Sequence, residues 1–264
     1  MQLNTEKMIA EKADGIGWMT FNNPARRNAM SLEMWAAVEV ILDDFESDET
    51  VRVVVMKGAG GKAFVSGADI SEFKEKRANA EAAAHYAAVS EGARNRMAKL
   101  QKPLIAMIDG FCLGGGLAIA LNADMRFAAE GSQFGVPAAR LGIAYAFDSL
   151  RRLVSLVGPA VANEIMFTAN RLSADAALQA GLINRVIAAD ELEATVRELA
   201  MTIVNNAPLS VNASKVTIKE ILKDADDRDM DKLAEISKAC FDSADYAEGR
   251  QAFMEKRQPV FTGQ

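Results

Sequence analysis

Residues 104–122 read LIAMIDGFCLGGGLAIALN, and this stretch predicts a strand, a glycine turn and a helix in direct succession. Its first five residues are apolar, which is typical of a buried strand. The glycines at 114–116 leave the backbone amides of the turn uncovered, and the apolar residues after them predict a helix over residues 117–122. Another strand is predicted at residues 125–128, so the alternation indicates an α/β fold with helices packed on a sheet.

The residues before this stretch continue the alternation. Two strands are predicted at residues 8–12 and 16–21, on either side of Asp14-Gly15, a dipeptide that favours a tight hairpin turn. Apolar residues at steps of three and four predict a helix that begins after Ser31, whose side chain suits an N-cap. A buried β-branched strand is predicted at residues 52–57.

The remaining segments are mainly helical. Residues 71–100 have a helical composition with a weak apolar face. Capping and first-turn signals predict further helix starts at Asp148-Ser149, Gly158-Pro159 and Ser173-Ala174. Two more helices are predicted over residues 190–205 and 208–223, and a helical tail over residues 229–257. We therefore expect a core over residues 1–206 and a C-terminal helical oligomerisation region over residues 207–264.

Composition excludes several classes of protein. The chain has 264 residues, of which 50% are hydrophobic and 25% charged, as in ordinary globular proteins. No apolar run approaches the ~20 residues of a membrane-spanning helix, and no targeting segment is recognisable at the N-terminus. The expectation is a cytoplasmic protein with no membrane partner.

Charge and metal-ligand content exclude two further kinds of site. The net charge of -6 comes from mixed acidic and basic residues without a basic stripe, so no nucleic-acid partner is expected. Two cysteines without CxxC spacing and a single histidine argue against a metal site.

Two glycine-containing segments, residues 64–70 (FVSGADI) and 109–116 (DGFCLGGG), follow or adjoin predicted strand ends. Neither contains GxGxxG, the P-loop pattern GxxxxGK is incomplete at Lys62, and Ser66 lacks the GxSxG context of a nucleophile. What remains is uncovered backbone amides, the second set at a helix N-terminus. Two such amides that converge form an oxyanion hole, although spacing alone does not establish the convergence.

These segments resemble the signature regions of the crotonase (enoyl-CoA hydratase/isomerase) superfamily. The resemblance extends over essentially the whole chain, through residues 22–29 (NNPARRNA), 134–137 (FGVP) and 180–186 (AGLINRV). It implies a crotonase-like spiral of ββα units with a C-terminal helical trimerisation region. It also implies a homotrimer or homohexamer that takes an acyl-CoA thioester, with coenzyme A as part of the substrate and no separate cofactor.

The resemblance also implies roles for individual residues. The oxyanion-hole amides belong to Ala68 and Gly115. Coenzyme A is expected to contact two segments and one C-terminal lysine: Ala25, Arg26, Ser66, Gly67, Ala68, Asp69, Ile70 and Lys256.

The acid and base positions depart from the hydratase pattern. Family hydratases use two glutamates to move protons during water addition, and the matching positions here are Ala118 and Ala138. A methyl group can neither hold nor pass a proton. The resemblance therefore implies a different reaction on the same scaffold.

A second resemblance, to the methylmalonyl-CoA decarboxylase branch, rests on residues 141–145 (LGIAY), 163–169 (NEIMFTA) and 242–250 (DSADYAEGR). Tyr145 matches that branch's active-site tyrosine, whereas the branch's histidine falls at Ala68. Tyr145 is expected either to orient a carboxylate or return a proton, or to line the pocket with its hydroxyl bonded locally.

The favoured function is a decarboxylase or related lyase on a short-chain acyl-CoA, which stabilises a thioester enolate. The alternatives are an enoyl-CoA hydratase/isomerase with relocated acid and base groups, and a non-catalytic acyl-CoA-binding oligomer. Four other polar or reactive residues receive structural interpretations: Asp148 as a helix cap, Arg140 in a surface ion pair, His85 as a surface histidine and Cys112 as a buried thiol.

Overall fold

The computed structural model of the protein describes residues 1, 3–72 and 79–264. Within these residues the strands are β1 Met8–Ala13, β2 Ile16–Phe21, β3 Val53–Gly58, β4 Ala63–Val65, β5 Leu104–Ile108, β6 Phe111–Leu113, β7 Met125–Ala129, β8 Gln133–Gly135, β9 Leu172–Ser173 and β10 Arg185–Ile187. The helices are α1 Leu32–Ser47, α2 Ala80–Lys99, α3 Gly115–Ala120, α4 Ala138–Leu141, α5 Phe147–Thr168, α6 Ala174–Gln179, α7 Leu192–Val204, α8 Pro208–Ile221, α9 Met230–Asp242 and α10 Ala244–Glu255.

From β3 to β8, successive strands alternate between two sheets. The six-stranded sheet has the order β1-β2-β3-β5-β7-β10, and the four-stranded sheet has the order β4-β6-β8-β9. The pairs β3–β4, β5–β6 and β7–β8 each give one strand to each sheet before a helix follows. This is the predicted spiral of ββα units, and it opens on the predicted hairpin of β1 and β2.

The large sheet is buried on both faces, because its strands alternate their side chains between two apolar clusters. In β3, Val54 and Met56 face the larger cluster, which also contains α1 and residues of the small sheet. Val53 and Val55 face the smaller cluster beneath α7. Coverage of both faces explains why these strands read as continuous apolar runs in the sequence.

Several boundaries agree with the sequence and others shift. Ile16–Phe21 and Leu104–Ile108 are strands as predicted, and Ser31 Oγ accepts a hydrogen bond from the first turn of α1. The helix predicted from residue 117 begins earlier, at Gly115, because the last two glycines adopt helical backbone angles. Of the helix predicted over residues 71–100, α2 is observed and Ile70–Glu72 forms a 3-10 turn. Residues 73–78 of that prediction lie outside the described residues.

The C-terminal half is helical as predicted. The helix start expected at Gly158-Pro159 lies inside α5, where Gly158 has φ 72° and kinks the helix. The predicted tail divides into α9 and α10 at Ser243, which caps the second of them. Neither of the two apolar clusters includes a buried residue beyond Ala200, and the division near residue 206 stays a prediction. Among the described helices, none is long and apolar enough to span a membrane.

Candidate active site

Hydrogen bonds on both sides of Ala68 fix the turn that follows β4. Met30 N donates to Gly67 O at 2.8 Å, and Asp69 N donates to Met30 O at 2.9 Å. The Asp69 carboxylate then accepts from the amide and hydroxyl of Ser71 at 3.0 and 2.6 Å. Because these bonds use the neighbouring residues, the amide of Ala68 itself donates to no residue in the described part of the chain.

Asn28 holds the loop 22–30 against this turn. It adopts a left-handed conformation with φ 56° and is completely buried. Its amide nitrogen donates to Ala63 O at 2.7 Å and Ala59 O at 2.9 Å, and its carbonyl oxygen accepts from Asn23 N. An asparagine tolerates this conformation and bonds three backbone groups at once, one of them in a buried hydrogen bond, which explains its place in residues 22–29.

The glycine turn brings the second amide to the same place. Gly115 is the first residue of α3, so its N–H has no acceptor within the helix. A methyl group placed on Gly115 would lie 3.7 Å from Ala68 N. At Gly116 a methyl group would lie 1.9 Å from Val65 O, so only glycine permits the close approach of α3 to β4.

The sheet explains why these two distant segments meet. Strands β4 and β6 are parallel neighbours, and Ala68 and Gly115 each follow the C-terminal end of one of them. Residues after neighbouring parallel strands lie at the same edge of a sheet. The convergence that spacing could not establish therefore follows from the strand order. Two amides without a partner among the described residues, one of them at a helix N-terminus, favour an anionic oxygen.

Tyr145 covers the glycine turn. Its hydroxyl donates to Gly114 O at 3.1 Å, and the same carbonyl accepts from Ala118 N at 3.0 Å. Burial raises the pKa of the Tyr145 hydroxyl above its ordinary range, so the group keeps its proton. Ala118 and Ala138 are 6% and 3% exposed, and their methyl groups bring no titratable function.

The two segments predicted to bind coenzyme A touch each other. Ser66 N donates to Arg27 O at 3.1 Å, and Ser66 Oγ donates to Arg26 O at 3.4 Å. Ala25 and Arg26 are exposed beside them. Lys256 is exposed at the end of α10, and none of the described contacts joins it to these segments. Ile70 begins the 3-10 turn after Ala68 and Asp69.

The other polar candidates have structural positions. His85 is exposed on α2 and Cys112 is buried, with the pKa of its thiol raised by burial, as expected. Asp148 is not the cap of α5, because Ala146 occupies that position and Asp148 lies exposed in the first turn. Arg140 forms no ion pair with any residue that the structure describes; it donates to Asn170 Oδ1 at 2.8 Å instead.

Arg94 is a residue beside the site that sequence reasoning missed. Its guanidinium lies 5.6 Å from the centre of the Trp35 ring, and its positive charge acts against the burial that raises the pKa of Tyr145. Nothing in the weak apolar face of α2 distinguishes Arg94 from the helix's other charged residues. Its burial depends on Trp35 and Tyr145, which come from other elements.

The residues that the structure describes contain no group of three or more His, Cys, Asp and Glu side chains able to hold a metal ion.

The match to a family model accords with this geometry. A model described as Enoyl-CoA hydratase/isomerase matches residues 11–264. The chain belongs to this family.

Two characterised relatives and one solved structure cover nearly the full length. The chain is 37% identical to a short-chain-enoyl-CoA hydratase of Clostridium acetobutylicum, over 98% of this chain and 97% of the relative. It is 33% identical to a crotonyl-CoA hydratase of Syntrophomonas wolfei, over 97% and 98%. A crystal structure of an enoyl-CoA hydratase/carnithine racemase from Magnetospirillum magneticum superposes with a TM-score of 0.93 at 36% identity, over 99% and 97%. The protein is thus an acyl-CoA-processing enzyme of the crotonase superfamily.

Proposed function

We propose that the protein hydrates short-chain enoyl-CoA thioesters, or removes water in the reverse direction, through a thioester enolate held by the amides of Ala68 and Gly115. The observation that carries this proposal is the adjacency of two amides that have no hydrogen-bond partner among the described residues: a methyl group added to Gly115 would lie 3.7 Å from Ala68 N. Negative charge develops on the thioester oxygen during enolate formation, and fixed donors stabilise that charge most in the transition state.

The relatives favour hydration as the type of reaction. Two relatives at 37% and 33% identity are named as hydratases, and neither name supports the decarboxylation that the sequence favoured. Hydration here requires acid and base groups other than those expected at positions 118 and 138. Tyr145 is the candidate for the proton transfers, because its protonated hydroxyl lies against the glycine turn that carries Gly115: it gives its proton to the α-carbon and regains one from the water that adds to the β-carbon.

Decarboxylation remains a second candidate because of the two alanines. Loss of CO₂ needs no base, and a pocket without carboxylates at Ala118 and Ala138 repels an anionic acyl group less. In this reaction the C–C bond to the carboxylate breaks, CO₂ leaves, and the electron pair of the bond passes to the thioester enolate. A proton is then added to the α-carbon. Tyr145 is again the candidate donor.

One experiment distinguishes hydration from decarboxylation and from binding without catalysis. The protein is mixed separately with crotonyl-CoA, malonyl-CoA and methylmalonyl-CoA, and the products are weighed by mass spectrometry. The proposal expects a gain of one water on crotonyl-CoA. Loss of CO₂ from either of the other thioesters, with crotonyl-CoA unchanged, would replace it with decarboxylation. Binding without any mass change would identify a non-catalytic acyl-CoA-binding protein.

The same proposal includes the binding site for coenzyme A, which we place at Ala25, Arg26, residues 66–70 and Lys256. The contact of Ser66 with Arg26 and Arg27 supports one continuous surface for the first two segments. No separate cofactor takes part in the proposed reaction.

A further inference from the structure

A cavity of about 250 Å³ lies between α2 and the first turn of α5, and its lining includes Ala146, which follows Tyr145 in the chain. Two arginines line it, Arg94 from α2 and Arg152 from α5. Both side chains are half-buried. Within the described chain, neither guanidinium has a carboxylate at ion-pair distance or a hydrogen-bond acceptor.

Burial without a counter-ion leaves these cations incompletely solvated. The pKa of Arg94 and the pKa of Arg152 are both lowered, in each case mainly by burial. Both guanidiniums still carry their charge at neutral pH, because the reference pKa of arginine is far above it. A ligand with a negative group would restore the lost interactions, and planar guanidinium groups bind carboxylates with two parallel hydrogen bonds.

The cavity also contains acidic side chains, and they do not neutralise the arginines. Glu91 and Asp148 line it, and both are exposed to solvent. The Asp148 carboxylate lies 4.0 Å from Arg151, outside the cavity, and gives no ion pair to Arg152. Ala146 at the start of α5 offers no side-chain cap, so the first-turn amides of that helix also favour an anion here.

Arg94 is connected to the oxyanion segment through one side chain. Tyr145 bonds Gly114 O, next to Gly115; burial raises the pKa of its hydroxyl, and the nearby positive charge of Arg94 acts against that rise. On the other side Arg94 stacks on Trp35, whose Nε1 donates to the Tyr86 hydroxyl at 3.2 Å. The cation–π contact with the Trp35 ring therefore helps to hold the guanidinium at the cavity.

We propose that Arg94, with Arg152, binds a carboxylate at the far end of the acyl group, so that the substrate is the CoA thioester of a dicarboxylic acid. The inference rests on the proposed function, because it assumes that the thioester lies at Ala68 and Gly115. The water adds across the double bond near the thioester, and the distal carboxylate passes through the reaction unchanged.

Binding of a substrate carboxylate by the two arginines favours a reaction in which the carboxylate is retained over a reaction in which it leaves as CO₂. Decarboxylation removes the negative charge from the carboxylate as the C–C bond breaks. A guanidinium bound to it stabilises the ground state more than the transition state and slows that reaction. The arginine pair therefore suits hydration of a dicarboxylic enoyl-CoA.

Binding of saturated thioesters tests the inference without turnover. Calorimetry compares glutaryl-CoA with pentanoyl-CoA, and succinyl-CoA with butyryl-CoA, at equal ionic strength. Within at least one pair, the protein should bind the carboxylate-bearing ligand about 10-fold more tightly or better, as expected for a charge-assisted contact. Equal affinity within both pairs would overturn the inference while leaving the proposed function intact. Failure of all four thioesters to bind would overturn both.

Variants assign the preference to the cavity. Arg94→Met keeps a flexible side chain over Trp35 and removes the charge, so it should reduce the preference to about 2-fold or less while pentanoyl-CoA still binds. Arg151→Met is the control, because Arg151 carries the same charge nearby but is exposed and does not line the cavity. The preference should survive in Arg151→Met. If Arg94→Met fails to fold, Arg152→Met is measured in the same way; a preference that survives in a folded cavity variant contradicts the inference.

Discussion

A methyl group added at Gly115, in the variant Gly115→Ala, offers a direct probe of the proposed oxyanion hole. In Gly115→Ala the added methyl lies 3.7 Å from Ala68 N, at ordinary contact distance, so the fold should keep its stability. The methyl occupies space beside the nitrogen that is expected to donate to the thioester. We expect kcat/KM on crotonyl-CoA to fall roughly 10²-fold.

A neighbouring glycine is the control for this substitution. In Gly116→Ala the methyl would lie 1.9 Å from Val65 O, and we expect a large fall in the thermal midpoint of unfolding. A Gly115→Ala enzyme with the parent's kcat/KM would contradict the assignment of Gly115.

Tyr145 is predicted to deliver a proton and not only to brace the turn. Tyr145→Phe removes the hydroxyl that donates to Gly114 O and costs about 1 kcal/mol of folding stability. As a proton donor its loss should also lower kcat roughly 10²- to 10⁴-fold. Because burial raises the pKa of Tyr145, the parent's activity should not fall through Tyr145 ionisation at mildly alkaline pH. A small change in kcat, with only the expected loss of stability, would show that Tyr145 is a packing residue.

An ion pair with one buried partner attaches helix α8 to the residue before β7. Lys215 Nζ lies 2.7 Å from Asp124 Oδ2 and also donates to Lys102 O; the Lys215 side chain is 7% exposed and that of Asp124 is 30% exposed. Among the described residues, Lys215→Met leaves Asp124 with the amide of Leu104 as its donor. We expect the free energy of unfolding to fall by roughly 2–3 kcal/mol, the usual contribution of a hydrogen bond to a charged group.

A second lysine near the end of α8 provides a matched comparison. Lys223 pairs with Glu220 and is 41% exposed, so Lys223→Met should change the free energy of unfolding by less than about 1 kcal/mol. Denaturant titration of both variants measures the difference. If both variants lose the same free energy of unfolding, the Lys215–Asp124 pair contributes no more to the attachment of α8 than the Lys223–Glu220 pair does.

The elements also show what the sequence could and could not predict. Residues 104–108 and 16–21 are apolar, are bounded by turn residues, and were predicted in full. The strands Ala63–Val65, Phe111–Leu113 and Gln133–Gly135 were missed, because three residues are too short to show a period. These short strands form most of the second sheet.

The site was predictable to the same degree. Uncovered amides followed from the glycines, whereas the pairing of Ala68 with Gly115 needed the family resemblance, because it depends on the parallel pairing of β4 and β6. Arg94 gave no signal, because its surroundings come from Trp35 and Tyr145. Residues whose environment comes from distant segments are those that a single sequence predicts least well.

The C-terminal helices leave apolar side chains exposed in the single chain. Helix α9 buries none of its residues. The exposed set includes Ile221 at 61%, Phe241 at 63%, Phe253 at 86% and Met254 at 72%. Exposed apolar surface of this kind marks an association surface, which supports the predicted homotrimer or homohexamer.

Light scattering after size-exclusion chromatography measures the assembly. We expect three or six times the mass of one chain for the parent protein, and a smaller assembly for Phe253→Asp. A parent protein that is monomeric at micromolar concentration would remove the prediction.

The central claim is that the thioester oxygen lies between the amides of Ala68 and Gly115. A crystal structure of the protein with a bound saturated acyl-CoA measures this directly. The account predicts that the thioester oxygen lies about 2.7–3.1 Å from both Ala68 N and Gly115 N. A thioester oxygen bound elsewhere, with these two amides facing solvent, would contradict it.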